Sequence, residues 1–422
     1  MNSTRLLVVG VALLATIYLS APEIVEQLSA KPDPSQNRCT KIGVAGDPDL
    51  VMRPNPGRVV SIRLTRNGEF VDRCELTDAL YEMNWDVPKP YGPRARPDAP
   101  NLPRLAILYI HGWKHSAAET ETFVDTDLVA FKALVQSIQA THNGTRQVVG
   151  IYVGWEADSG LGALNNLTFW SKAAVADRIA QTAVVTKIIA SLGATRKINK
   201  DRVDQFIAIG HSFGARLLFS ATNQSLITDA ARAHPGVTGG VYQLLTSSAD
   251  ATILLNPAFE AARFTPVDTI GRFEESFLPE QPPLLVSIST TGDWATRMLF
   301  PLGQWIGMDR TRLTSTTLGN YELFQTHELQ LSEKSSCLAA VSNGALTEAF
   351  FAEGLCLSRK RGGTTGTPTA HRRYNPFMVV RTDPDVIADH NDIWNPRFAA
   401  WLGGFVTALE KAHRSRLQVK QK

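Results

Sequence analysis

From residue 104 onward the chain alternates short, almost wholly apolar runs with longer stretches of helical spacing. The runs are LAILYI (Leu105–Ile110), VVGIYVGW (Val148–Trp155), FIAIG (Phe206–Gly210), ATILLN (Ala251–Asn256), LLVSIS (Leu284–Ser289) and FMVV (Phe377–Val380). Strands that are apolar at every position, rather than at alternate ones, are covered on both faces, which predicts a parallel sheet wrapped by helices. Asp127–Ala140 and Lys172–Leu192 carry helical spacing, and Arg397–His413 can pack after the last strand. This alternation predicts a doubly wound α/β domain over residues 104–413.

The pattern differs at both flanks. Between Arg58 and Leu76, VVSIRLT, the turn Arg66-Asn67-Gly68 and EFVDRCEL read as an antiparallel hairpin within an N-terminal segment, 23–103. Six prolines between Pro88 and Pro103 predict a stiff linker. About ninety residues separate LLVSIS from FMVV, far beyond an ordinary connection, so a large insertion (about 294–375) precedes the last strand and is expected over one end of the sheet. It holds WATRMLFPLGQWIG directly after Asp293, open to an acyl-binding or lid reading and to plain core packing. It also holds SRKRGGTTGTPTAHRR, whose cations suit anionic headgroups or a solvated loop. Residues 414–422 form a basic tail, and there is no internal repeat.

A chain of 422 residues, 44% of them hydrophobic, can bury a large core. Its 43 Lys plus Arg against 40 Asp plus Glu leave a formal charge of +3, too balanced to predict a nucleic-acid face. The N-terminus changes the picture. LLVVGVALLATIYLSAP (Leu6–Pro22) follows Arg5 without a charge, which fits a signal peptide or a retained membrane anchor over residues 1–22. A cut after Ala21 would put Leu19 where signal peptidase wants a small residue, so the anchor stays open. Either reading predicts an exported chain that is periplasmic, secreted or membrane-anchored.

All four cysteines, Cys39, Cys74, Cys337 and Cys356, lie beyond that run, and an even count in an oxidising compartment predicts two disulfides. Three connectivities are open; near neighbours close short loops, which favours Cys39 with Cys74 and Cys337 with Cys356. No Cys/His spacing suits a metal, and no cofactor motif is present.

The chemistry centres on IAIGHSFGARLLF (Ile207–Phe219). A bare GxSxG is common by chance, but here it follows an apolar strand and precedes a helical stretch, the setting in which a sharp turn exposes a serine. Gly210 and Gly214 leave room for close backbone passage, and Ser212 would stand at the carboxyl end of the sheet. A serine needs a base, and the base needs an acid to hold it. Asp293, in STTGDWAT, follows LLVSIS, and His390, in VIADHNDIW, follows FMVV, so parallel strands would bring both to the edge that carries Ser212. Glu260, in NPAFEA, is an alternative acid. Asp389 and Asp392 read as loop polar groups, and His327 and His371 as surface groups of the insertion.

The order Ser212, Asp293, His390, each after its own strand, resembles the α/β-hydrolase superfamily over about Arg104–His413. His111-Gly112-Trp113 after LAILYI stands where lipases and esterases carry an HG dipeptide. HGWKH, VGW, LTFW and GHSFG together look like a group of exported hydrolases of unassigned substrate. The resemblance implies an α/β-hydrolase fold, with a mostly parallel, doubly wound sheet flanked by helices. It implies Ser212 as nucleophile, His390 as general base and then acid, and Asp293 as the group that orients and stabilises the imidazole. The N–H groups of Phe213 and Trp113 would bind the oxyanion, in an enzyme cleaving a small-molecule or lipid ester without a cofactor. A thioesterase, a peptidase and a non-catalytic binding protein share the same fold and motifs.

Overall fold

The long apolar runs are strands because each position has a helix or a neighbouring strand to face. In the computed structural model, described for residues 57–83, 102–113, 115, 119–120, 123–156, 169–198, 202–240, 243–274, 277–293, 311–338, 345–360 and 373–419, these form one sheet. Its strands are β1 (Arg58–Leu64), β2 (Arg104–Ile110), β3 (Gln147–Trp155), β4 (Gln205–His211), β5 (Ala251–Leu255), β6 (Leu285–Thr290), β7 (His327–Leu331), β8 (Ala349–Ala352), β9 (Leu355–Arg359) and β10 (Phe377–Thr382). They lie side by side in the order β1-β3-β2-β4-β5-β6-β10-β7-β9-β8. Every pair from β1 through β10 to β7 is parallel, and only β9 with β7 and with β8 is antiparallel. The fold is the mostly parallel, doubly wound α/β architecture expected.

Side-chain alternation along each strand divides the core. Leu105, Ile107 and Tyr109 of β2 pack with α2 (Thr126–His142) and α6 (Pro396–Val419), whose Phe131, Val135, Trp401 and Phe405 are buried there. Ala106, Leu108 and Ile110 pack on the other face with α1 (Arg73–Met83), α3 (Phe169–Gln181), α4 (Val184–Thr195) and α5 (Phe213–Ala233). Burying both faces is what makes these strands read as continuous hydrophobic runs.

Four expectations are corrected or refined. The hairpin is not formed: only one antiparallel bridge, Leu64 with Phe70, follows the Asn67-Gly68 turn, and β1 instead pairs parallel with β3. The second arm ends at Asp72, and the last four residues assigned to it open α1, because Leu76, Ala79 and Met83 recur at helical spacing and are buried, while Asp72 Oδ1 accepts the Cys74 N–H at 2.8 Å. The stretch Lys172–Leu192 is two helices, broken at Ala183, whose φ of 56° is left-handed. The described part of the insertion does two things: Thr317 bridges Glu260 and Gly319 lies against Ser289, beside the carboxyl ends of β5 and β6, while β7, β8 and β9 extend the sheet sideways, pairing the edge that β10 would otherwise expose. His327, expected at the surface, is 2% exposed, with Nε2 donating to the Thr347 carbonyl at 3.0 Å.

Cys337 and Cys356 form a disulfide, tying the helix Lys334–Leu338 to β9. Cys74 is also disulfide-bonded, and its expected partner Cys39 lies outside the described residues. So do the N-terminal apolar run, the proline-rich linker, WATRMLFPLGQWIG, most of the Gly/Thr-rich basic loop with His371, and the end of the basic tail. Among the described residues, no helix is long and apolar enough to cross a membrane.

Candidate active site

Parallel strands deliver their carboxyl ends to one edge, and there the three separated residues meet. Ser212 follows β4 directly, Asp293 lies three residues beyond β6, and His390 stands eight residues beyond β10. His390 Nε2 is 2.7 Å from Ser212 Oγ, and His390 Nδ1 is 2.7 Å from Asp293 Oδ2. Since a carboxylate only accepts, the tautomer that makes both bonds carries its proton on Nδ1 and leaves Nε2 to accept from the serine hydroxyl. Ser212 and Asp293 are each 1% exposed and His390 is 5% exposed, so the chain of hydrogen bonds runs through a site with little water.

The turn that presents Ser212 is strained. Its φ of 55° and ψ of −119° lie outside the regions that a non-glycine residue ordinarily occupies. The strain is held by the Ser212 N–H, which donates to the Leu255 carbonyl at 3.0 Å, and by the Ser212 carbonyl, which accepts from Ala258 and Arg216 N–H at 3.2 Å each. The flanking glycines are demanded by contact. A Cβ on Gly214 would overlap the carbonyl oxygens of Ile110 and His111, and one on Gly210 would stand 2.8 Å from Ala215 Cα.

Gly112 brings the loop after β2 against this turn: a Cβ there would lie 2.9 Å from Ser212 Cβ and 2.7 Å from His211 Nδ1. His111 fixes that loop. Its Nε2 accepts the Trp155 N–H at 2.9 Å, so the proton sits on Nδ1, which donates to the Gly112 carbonyl at 2.7 Å. Trp155 Nε1 donates to the His111 carbonyl at 3.0 Å, and the two rings stack with centroids 5.8 Å apart. Burial lowers the His111 pKa to about 4, which keeps the ring neutral and this pattern intact. Further along, His115 lies 3.3 Å from Asp125 and 3.7 Å from Asp127, carboxylates that also accept from Tyr152 and from Tyr109 and Trp394 respectively. The loop carrying Trp113 is thus tied to β3 at one end and to the start of α2 at the other.

Glu260 does not reach the histidine; it pairs with Arg263 at 2.7 Å and Arg216 at 3.5 Å. Asp389 and Asp392 accept from backbone N–H groups of their own loop, as read. Reading the sequence missed Asn256 and the bonding roles of His111 and His211, whose imidazole donates from Nε2 to the His390 carbonyl at 2.9 Å. Only the position of Asn256 at a strand end hinted at it. Among the described residues, no cluster of three or more His, Cys, Asp or Glu could hold a metal ion.

No protein-family model matches the chain, and no curated protein matches it. Solved structures that match include phospholipase PlaB from Legionella pneumophila, with 12% identity over 74% of this chain and 63% of that one, at a TM-score of 0.27. The same phospholipase in complex with thio-NAD matches at 12% identity over 74% and 61%, with a TM-score of 0.25. The chain therefore spans less than two thirds of these proteins. A likeness at that level carries no argument, so the functional reading rests on this chain's own geometry.

Proposed function

We propose that this chain is a serine hydrolase that cleaves a carboxylic ester through an acyl-enzyme, with Ser212, His390 and Asp293 as its triad. The observation that carries the reading is the unbroken hydrogen-bond chain from Asp293 through His390 to Ser212 Oγ, ending on a serine in a strained turn. His390 Nε2 takes the hydroxyl proton as Oγ attacks the ester carbonyl, and Asp293 stabilises the imidazolium so formed. Collapse of the tetrahedral intermediate returns that proton to the leaving alcohol. Water then enters, loses a proton to Nε2, and releases the acid and Ser212.

The oxyanion would be bound by the N–H groups of Phe213 and Trp113. Phe213 is the first residue of α5, directly after Ser212, and the amides of a helix's first turn are not used by the helix's own hydrogen-bond ladder. In a trans peptide the carbonyl and the following N–H point opposite ways, so holding the Gly112 carbonyl on His111 directs the Trp113 N–H away from that ring. Each such donor contributes about 3 to 4 kcal/mol to the transition state. The substrate is a small-molecule or lipid ester. The Cys337–Cys356 disulfide supports an exported protein, since such bonds persist in oxidising compartments.

A fluorophosphonate probe tests the reading. It should label the wild-type chain and leave Ser212→Ala unlabelled, with ester hydrolysis lost in parallel. Equal labelling of the two would remove Ser212 from its role. A panel of esters of increasing acyl length, with and without micelles, would then rank lipid against soluble substrates.

A further inference from the structure

Asn256 follows β5 directly, and β5 lies in the sheet between the strand of Ser212 and the strand of Asp293. It is 1% exposed, and its φ of 42° is left-handed, a conformation that Asn and Gly tolerate better than other residues. Its backbone N–H donates to the Ile288 carbonyl at 2.8 Å, which fixes where the side chain starts. The carboxamide then bridges two loops. Oδ1 accepts the N–H of Thr290 at 3.0 Å, and Nδ2 donates to the carbonyl of His390 at 3.0 Å.

We propose that Asn256 is a positioning residue for the hydrolase reaction, clamping the acid turn and the histidine loop to each other through its side-chain amide. The inference rests on the triad reading above. Thr290 accepts the Asp293 N–H at 3.3 Å through its carbonyl, so fixing Thr290 fixes the acid. The His390 carbonyl receives a second hydrogen bond, from His211 Nε2 at 2.9 Å, and His211 precedes Ser212. The backbone of the general base is thereby held from the nucleophile turn and from the acid strand at once. Two further contacts brace the same pair of loops: Thr290 Oγ1 donates to the Ile387 carbonyl at 2.6 Å, and the Gly292 backbone lies directly on the Ala388 carbonyl.

The chemistry singles out an amide. One planar group must offer an acceptor to Thr290 and a donor to His390; a carboxylate has no donor, and a serine is too short to span both. Because the imidazole must meet Ser212 Oγ and Asp293 together, a displacement of about 1 Å at its backbone is expected to cost roughly 100-fold in rate while leaving substrate binding alone.

Two full-length variants test this. Asn256→Gly keeps the left-handed backbone and removes both side-chain bonds; Asn256→Asp keeps size and the Thr290 bond but sets an oxygen against the His390 carbonyl. Each is assayed for kcat and KM on a p-nitrophenyl ester, for the rate of fluorophosphonate labelling, and for Tm. The expected result is a fall in kcat and labelling rate of roughly 10- to 100-fold in both variants, with KM changed by less than about threefold and a cooperative melt retained. A folded variant with wild-type kcat and labelling rate overturns the proposal, as does a loss that falls on KM. Loss of the cooperative melt in both variants also overturns it, because Asn256 would then serve the fold and not the triad. A wild-type chain that neither reacts with the probe nor turns over esters sinks the hydrolase reading itself, an outcome distinct from active wild type with indifferent Asn256 variants.

Discussion

Lowering the pH from 7 to 5 should destabilise the folded chain by several kcal/mol through histidines that the fold keeps neutral. His111, His211 and His327 are at most 2% exposed, and burial, the dominant cause in each, lowers their pKa to about 4. The ordinary value is about 6.5, so between pH 6.5 and 4 the unfolded chain binds protons at these rings that the folded chain does not. Stability is therefore fully present above the unfolded value and is lost as pH falls through this window. Between pH 7 and 5 each ring contributes a loss of about 1.8 kcal/mol, or about 5.5 kcal/mol for the three. Asp268 opposes this: burial raises its pKa to about 6, so its stabilising contribution is present in acid and fades as pH rises through that value. Because solvent reaches part of that carboxyl, its gain at pH 5 is discounted to about 1 kcal/mol. The balance of these four groups, a loss of about 4 to 5 kcal/mol to which His142, also lowered to about 4 by burial, adds in the same direction, is a large share of the 5 to 15 kcal/mol typical of a folded domain. Urea unfolding followed by tryptophan fluorescence, at fixed ionic strength and with disulfides intact, measures it directly. His327→Gln, far in sequence from the triad, should reduce the loss between pH 7 and 5 by the share of one ring, about 1.8 kcal/mol, read from the slope and not from the starting stability. Equal unfolding free energies at pH 7 and 5 would refute the account of these rings as buried and neutral.

Three further outcomes follow from backbone contacts and covalent links. Gly214→Ala should lower stability by about 1 to 3 kcal/mol and abolish fluorophosphonate labelling, because the new methyl would displace the turn from the Ile110 and His111 carbonyls. Gly404→Ala in α6 is the contrast: its nearest neighbour would be the Ala352 Cβ at 3.5 Å, so it should stabilise by about 0.5 to 1 kcal/mol with labelling unchanged, both read by thermal unfolding and probe. Replacing Cys337 and Cys356 together by serine should cost about 3 kcal/mol in urea unfolding, the closure entropy of a loop of this length, and leave the labelling rate near wild type. Unchanged stability would mean that the bond constrains nothing in the unfolded chain.

The amino-acid sequence by itself determined the parallel core and the three residues at its edge. Runs such as LAILYI and FIAIG are legible because burial on both faces leaves no polar position, and a residue just past a parallel strand can reach only one edge of the sheet. Ser212 and His390, with Asp293 as the favoured of two candidate acids, were therefore legible from the strand order and the motif around the serine. Tertiary structure decided what local pattern leaves ambiguous. EFVDRCEL carries residues acceptable to strand and helix alike, and its helical fate depends on which apolar surface Leu76, Ala79 and Met83 meet. The lateral course of β7 to β9 depends on an open edge at β10, which no stretch of the insertion encodes within itself. The sequence favours Asp293 over Glu260 without deciding between them; in the fold an arginine pair claims Glu260 and the histidine meets Asp293. The amide of Asn256 meets a carbonyl 134 residues away, and His111 meets an N–H 44 residues away. Hydrogen bonds at such separations leave no periodic trace, because their partners are chosen by the packing of whole strands.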